Sequence, residues 1–362
     1  MKFAFIMHPI DLEDITKRYK PLKLLPGAMT ESIASLFPVH KKSEITGIRS
    51  PYAETEGWFI ICPLTSRKMM ELPVDYVIGR IIEAGRLAER LGAEIVGLGA
   101  MTSVVGDAGV TIAKNLDIAV TSGNSNTVYT ALEGTRKAAE FMGINLSQAE
   151  VAVVGATGSI GSVCARMLAP EAGRITLVAR ERSRLDRVAN QILSDSGVVP
   201  RVTMDVRDAL FRADVVVTVT SAVDTVIEPS YLKAGAVVCD VARPRDVSRK
   251  VAELRPDVLV IEGGVVEVPG DVDFHFNFGF PPKMAYACMA ETMILALENR
   301  AESFSLGRDL TVNQVLEIGA LGKKHGFKLA GWRSFERALE PSDLERVRSA
   351  AEKLRKQNLK AI

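Results

Sequence analysis

Apolar positions along the chain fall into two periods. Short runs of strand length recur at residues 2–7, 57–62, 94–99, 151–154, 174–180, 214–219, 236–240 and 258–261. Between them, Val74, Val77, Ile78, Ile81, Ile82, Ala84, Leu87 and Ala88 stand at helical spacing, and Gly92 closes that stripe. Further helices are expected over 162–168, 184–193, 206–211 and 127–142, the last with Ser125 or Asn126 as its cap and Gly143 at its end. Near the N-terminus, His8-Pro9 breaks the first strand and Asp11 caps a helix over 12–19; a loop-rich stretch with Pro21, Pro26 and Pro38 leads to a strand at 44–50. Alternation of strand and helix predicts an α/β fold with parallel strands.

The pattern divides into an N-terminal α/β domain over residues 1–145 that includes the linker helix 127–142, a Rossmann dinucleotide-binding domain over 146–300, and a C-terminal helical segment over 301–362. That last segment ends in a charged helix, and it is expected to pack back on the first domain.

The Rossmann expectation rests on Val151-Ala-Val-Val-Gly-Ala-Thr-Gly-Ser-Ile-Gly161. A buried strand runs into Gly155, Gly158 and Gly161, and a helical pattern follows at once. Glycines in such a turn let a pyrophosphate reach the backbone, where helix N-terminal amides hold it. Gly155, Ala156, Thr157, Gly158, Ser159, Ile160 and Gly161 are therefore the candidate phosphate cradle. An NAD site usually places an acid on the ribose about twenty residues further on. Here the second strand ends at Ala179 and Arg180, followed by Arg182 and Ser183, groups suited to a 2′-phosphate; the expected cofactor is NADPH. Thr220 and Ser221, at the end of the strand over 214–219, are candidates for the nicotinamide end.

Composition narrows the classes. Lys plus Arg at 45 against Asp plus Glu at 44 leaves a net charge of +1, so nothing calls for nucleic acid. Cys62, Cys164, Cys239 and Cys288 are scattered, with no metal-ligand spacing, which fits a reducing cytoplasm. No apolar run is long enough to span a membrane.

Two polar loops, Gly97-Leu-Gly-Ala-Met-Thr-Ser103 and Thr121-Ser-Gly-Asn-Ser-Asn-Thr127, precede helices where α/β sheets gather ligands; Ser122, Asn124, Ser125 and Asn126 are candidate substrate contacts, or else turn and cap residues. In the segment over 271–288, Pro281 and Pro282 suggest a helix start, which puts Cys288 in the second turn, too far in for strong dipole activation. A cysteine on an apolar helix is usually a small buried residue. His275 and His325 are single imidazoles, each a proton donor or a structural side chain.

Leu98-Gly-Ala-Met-Thr-Ser103, Thr121-Ser-Gly-Asn-Ser-Asn-Thr127, the glycine stretch, Leu177-Val-Ala-Arg180, Gly263-Gly-Val-Val-Glu267 and Ala287-Cys-Met-Ala-Glu291 together resemble the long-chain fatty acyl-(acyl-carrier-protein) reductases of cyanobacteria. The resemblance runs from His8-Pro9 to Lys324-His-Gly-Phe327, and the tail beyond it extends past the family pattern. It implies NADPH-dependent reduction of a fatty acyl thioester to a fatty aldehyde, with Cys288 as the residue that takes the acyl group. It also marks Lys283 as a basic residue preceding that cysteine. An acidic acyl carrier protein would need a basic docking face, for which Lys17, Arg18, Lys20 and Lys23, or Arg346, Arg348, Lys353, Arg355 and Lys356, are candidates. Two alternatives stay open: a dehydrogenase of the shikimate or amino-acid type acting on a small carbonyl without a covalent step, and a sensor that holds NADPH and an acyl ligand without turnover.

Overall fold

The computed structural model describes the chain except Asp11, Glu13, Asp14, Lys17, Arg18, Tyr19, Val223, Arg243, Ala361 and Ile362; of Lys20, Leu22, Asn358, Leu359 and Lys360 it describes the backbone alone. The expected cap at Asp11, much of the helix behind it, and the side chains of Lys17, Arg18 and Lys20 lie outside the described residues. Two compact units form. One comprises Met1–Asn126, Val266–Leu310 and Gln314–Lys328; the other comprises Thr127–Val265, Thr311–Asn313 and Leu329–Ile362.

The first unit is built on a six-stranded sheet of β1 (Phe3–Met7), β2 (His40–Arg49), β3 (Glu54–Ile61), β4 (Ile95–Leu98), β5 (Ala119–Thr121) and, from the later segment, β13 (Gly270–Asp273). The spatial order is β13-β2-β3-β1-β4-β5. β1 runs parallel to β3 and β4, while β2 and β13 add an antiparallel edge. The period of two in β1 sorts its side chains. Ala4 and Ile6 join Val77, Ile81 and Ala84 from the Val74–Arg90 helix, whereas Phe3 and Phe5 join Met293, Ile294 and Leu297 from the Ala287–Leu297 helix. Apolar on every side, the latter helix is almost wholly buried. Its close approach to β4 requires Gly97, since a methyl group there would fall 2.0 Å from the Thr292 hydroxyl.

The second unit contains six parallel strands, β6 (Glu150–Val154), β7 (Arg174–Val178), β8 (Arg201–Thr203), β9 (Val215–Thr218), β10 (Val237–Asp240) and β11 (Leu259–Glu262). Their order, β11-β10-β9-β6-β7-β8, is that of a doubly wound dinucleotide-binding sheet, with the switch point between β6 and β9. The α/β expectation and its Rossmann sheet are thus observed. The C-terminal helix Pro341–Lys360 belongs to this unit: the Arg355 guanidinium donates to the carbonyls of Met142, at the end of the linker helix, and Gly235, both at 3.0 Å, which anchors a charged helix. Among the described residues, no helix is long and apolar enough to cross a membrane.

Candidate active site

In the first unit the chain after β13 departs from the expected course. Pro281 and Pro282 do not open a helix; Lys283 adopts φ +64°, its carbonyl accepts from the Val268 amide at 2.7 Å, and the chain pairs as β14 (Met284–Tyr286) with β12 (Val265–Glu267) before the helix Ala287–Leu297 begins. Capture of the backbone by a strand delays the helix. Cys288 consequently stands in its first turn, where helix-terminal N–H groups favour a thiolate, and is only partly buried. The other three cysteines are buried; desolvation pushes the Cys62 thiol up to about 12 and raises Cys164 as well.

The polar turn that follows β5 is seated on Cys288. Gly123, at φ +74°, lies so close that a methyl group there would fall 2.3 Å from the Cys288 Cβ. The helix after this turn starts at Asn124, earlier than expected, so Ser125 and Asn126 belong to its first turn rather than capping it. The early start frees the Asn126 side chain to donate to the Ala287 carbonyl at 3.0 Å. Ser122, Asn124, Ser125 and Asn126 are all buried, and the Ser122 hydroxyl donates to the Ser305 carbonyl. Beneath them lies Glu291, whose role was not legible in the sequence. Its carboxylate accepts from the hydroxyls of Thr121 and Ser305 and from the Asn126 amide at 2.8 Å. Burial pushes this carboxyl upward, while those donors oppose the shift.

Lys283 and His275 are held elsewhere on the same segment. The Lys283 ammonium pairs with Asp271 at 2.9 Å. His275, at φ +49°, donates its amide to Asp273 Oδ1 at 2.7 Å and presents an exposed ring beside the same carboxylate. His325 is buried between Ser50 at 2.9 Å and Glu298 at 2.6 Å, a structural placement.

In the second unit, the glycine turn has the shape a pyrophosphate requires. Gly155 takes φ +84°, and a methyl group on it would meet the Val219 carbonyl oxygen at 2.4 Å; one on Gly161 would meet the Gly155 oxygen at 2.3 Å. These two glycines serve the packing of strand, turn and helix. Gly158 differs: a methyl group there would find its nearest protein atom at 3.4 Å, so the space over it is open to a ligand. The Ser159–Leu168 helix starts directly behind Gly158, with Ser159, Ile160 and Gly161 in its first turn, and Ala156 and Thr157 complete the bend. Arg184 fastens the next helix to this bend by donating to the Thr157 carbonyl at 3.1 Å.

At the end of β7, Arg180 is exposed. Arg182 pairs with Asp186 at 2.9 Å, and the Ser183 hydroxyl donates to Glu181 at 2.9 Å. Thr220 is fixed by Asp246, which accepts from its amide at 2.8 Å, from its hydroxyl at 2.5 Å and from the Thr218 hydroxyl at 2.6 Å; Ser221 is exposed next to it. Asp246 is fully buried, which raises its carboxyl above the ordinary range. Among the described residues, no group of three or more His, Cys, Asp or Glu could hold a metal ion.

Residues 136–261 match the shikimate/quinate 5-dehydrogenase family. Over 271 residues the chain is 32% identical to the long-chain acyl-[acyl-carrier-protein] reductase of Synechococcus elongatus, covering 69% of this chain and 75% of that protein. The chain belongs to this reductase family. As a member, with a doubly wound sheet and an open glycine cradle, it is an NADPH-dependent oxidoreductase. It is also 34% identical, over 342 residues and 90% of its length, to the aminotransferase PigE of Serratia sp., and spans 39% of that longer protein. Among solved structures, L-tryptophan dehydrogenase from Nostoc punctiforme aligns with 97% of this chain and 87% of its own at a TM-score of 0.41 and 14% identity.

Proposed function

We propose that the protein reduces a long-chain fatty acyl thioester to the fatty aldehyde, with the acyl group carried on Cys288. The observation that supports this reading most directly is the seating of the 121–126 turn on Cys288, at the first turn of a buried apolar helix. The Cys288 thiolate attacks the thioester carbonyl, the bond to the carrier sulfur breaks, and the carrier leaves as its thiol after taking a proton. The glycine turn over residues 155–161 would hold NADPH, which when bound would supply the hydride for the acyl carbon. Collapse of the resulting hemithioacetal releases aldehyde and returns the Cys288 thiolate, so one thioester, one NADPH and one proton give aldehyde, carrier thiol and NADP⁺.

The polar side chains of Ser122, Asn124, Ser125 and Asn126 belong, in this reading, to the environment of the acyl carbonyl, where preorganised donors lower the barrier to a tetrahedral intermediate. Thr220, set by Asp246, and Ser221 belong to the nicotinamide end, and Arg180 to the 2′-phosphate. Lys283 and His275 precede the nucleophile on the same segment, each beside a carboxylate. The Synechococcus relative's name makes acyl carrier protein the favoured acyl donor. On the C-terminal helix, Arg346 and Arg348 are engaged with Asp343 and Glu352, and Arg355 is spent on backbone carbonyls, which leaves Lys353 and Lys356 as the basic contribution of that face.

A second reading, a dehydrogenase acting on a small carbonyl without a covalent step, is favoured by the match of residues 136–261 to the shikimate/quinate 5-dehydrogenase family. Intact-protein mass spectrometry separates the two. Wild type mixed with palmitoyl-CoA or a palmitoyl carrier protein should gain one acyl group, Cys288→Ala none, and NADPH should discharge the adduct as aldehyde. Absence of an adduct on wild type with both donors would defeat the covalent reading.

A further inference from the structure

The proposed nucleophile and the buried acid Glu291 stand on one face of one helix, three positions apart. No charged partner meets that acid: among the described residues its hydrogen-bond partners are hydroxyls and backbone amides, drawn from two other segments. Thr121 and Asn126 come from the two ends of the turn seated on Cys288, the Gly123 amide adds to them, and Ser305 comes from the strand-like segment in which the Phe304 amide bonds the Val120 carbonyl at 3.0 Å. The Asn126 side chain closes the circuit on the Ala287 carbonyl. Every one of these bonds has the turn or its neighbour as donor. A carboxylate buried at such cost, with its oxygens facing donors alone, has its geometry dictated by those donors and dictates theirs in return.

The turn also carries an uncommitted group. The Ser125 hydroxyl is wholly buried and has no hydrogen-bond partner among the described residues. A hydroxyl in that state is costly unless something else takes its bond.

We propose that Glu291 is a positioning residue: its carboxylate fixes the 121–126 turn against Cys288, so that the turn's remaining donors, the Ser125 hydroxyl foremost, are set for the acyl carbonyl before the thioester arrives. The inference rests on the reading of Cys288 as acyl acceptor. It adds a residue that touches neither the substrate nor the cofactor and acts through the turn.

Two reagents distinguish positioning from mere support of the fold. Iodoacetamide reacts with the thiol and needs no donors for a carbonyl oxygen, whereas acyl transfer from palmitoyl-CoA needs both. In the full chain, Glu291→Gln should slow acylation of Cys288 by about tenfold or more, the scale of losing preorganised donors, with alkylation of Cys288 within about twofold of wild type. Because Glu291→Gln places an amide among donors and can cost stability, Thr121→Val and Ser305→Ala, which each remove one hydroxyl, should reproduce the same split at smaller size. Equal rates of acylation in wild type and all three variants would overturn the proposal, and so would acylation and alkylation falling together. Failure of the underlying reading looks different, since wild type itself would then take no acyl group.

Discussion

Gly123 and Cys288 are in backbone-to-side-chain contact with no room between them: a methyl group on Gly123 would fall 2.3 Å from the Cys288 Cβ and 2.4 Å from its Cα. The atoms it would strike belong to the backbone and first carbon of a buried helix, which cannot swing aside. Gly123 also holds φ +74°, a region that costs an L residue about 1 kcal/mol or more. Gly123→Ala should therefore displace the turn from the helix. Acyl transfer to Cys288 should fall by about a hundredfold, the effect of an ångström-scale misplacement, and the unfolding midpoint should drop. Acylation kinetics with palmitoyl-CoA and a thermal melt check both; wild-type rates in this variant would mean that the turn plays no part in the reaction.

The glycines of the second unit separate a ligand's requirement from the fold's. Gly161→Ala puts a methyl group 2.3 Å from the Gly155 oxygen, so it should destabilise the unit itself. Gly158→Ala meets nothing closer than 3.4 Å. It should melt within a few degrees of wild type yet bind NADPH about tenfold or more weakly, or about 1.4 kcal/mol, because the methyl group occupies the phosphate's approach. Fluorescence titration with NADPH alongside thermal melts tests the contrast. Unchanged NADPH affinity in Gly158→Ala would move the phosphates away from this turn.

Of the groups after β7, Arg182 is paired with Asp186 and Ser183 with Glu181, whereas Arg180 is exposed at the strand's end. Arg180→Ala should then weaken NADPH binding by roughly tenfold to a hundredfold, the worth of hydrogen bonds to a charged group, with NADH binding little altered. Arg182→Ala should have the smaller effect. Equal losses for both cofactors would show that Arg180 does not read the 2′-phosphate.

The two sites were legible in the sequence to different degrees, and the reason is locality. Strand, glycine turn and helix of the second unit lie within one contiguous stretch, so Val151 to Gly161 announces both structure and ligand. Local patterning does not reveal which segment a turn will meet. Gly123 shows only the signature of a loop, yet its partner is Cys288; Glu291 resembles a surface acid on an apolar helix, yet it is wholly buried beneath Thr121, Asn126 and Ser305. The helix start misled for a related reason. Two prolines favour a helical first turn, but β14 found a partner in β12, and the tertiary pairing overrode the local preference. Asp246 likewise sits in a loop that no periodicity marks, though it fixes Thr220.

His8 gives the first unit an acid-sensitive point. It is buried at the end of β1, where Nε2 accepts from the Met101 amide at 3.1 Å and Nδ1 donates to the Pro9 carbonyl at 2.9 Å, an arrangement that needs the neutral ring. Burial lowers its pKa from 6.5 to about 4, only partly offset by the bond to Pro9. Between those values the unfolded chain binds a proton that the folded one refuses, so stability rises with pH across this window. The contribution is fully present above about pH 6.5 and is lost as pH falls toward about 4; at about 1.4 kcal/mol per unit it amounts to about 3 kcal/mol. His8→Gln retains an acceptor for the Met101 amide but does not titrate. Urea unfolding of both proteins at pH 7.5 and pH 4.5 should show wild type losing more stability on acidification than the variant, by about that amount. Equal losses would mean that the imidazole is protonated in the folded protein at pH 4.5, and that the Met101 amide has another acceptor.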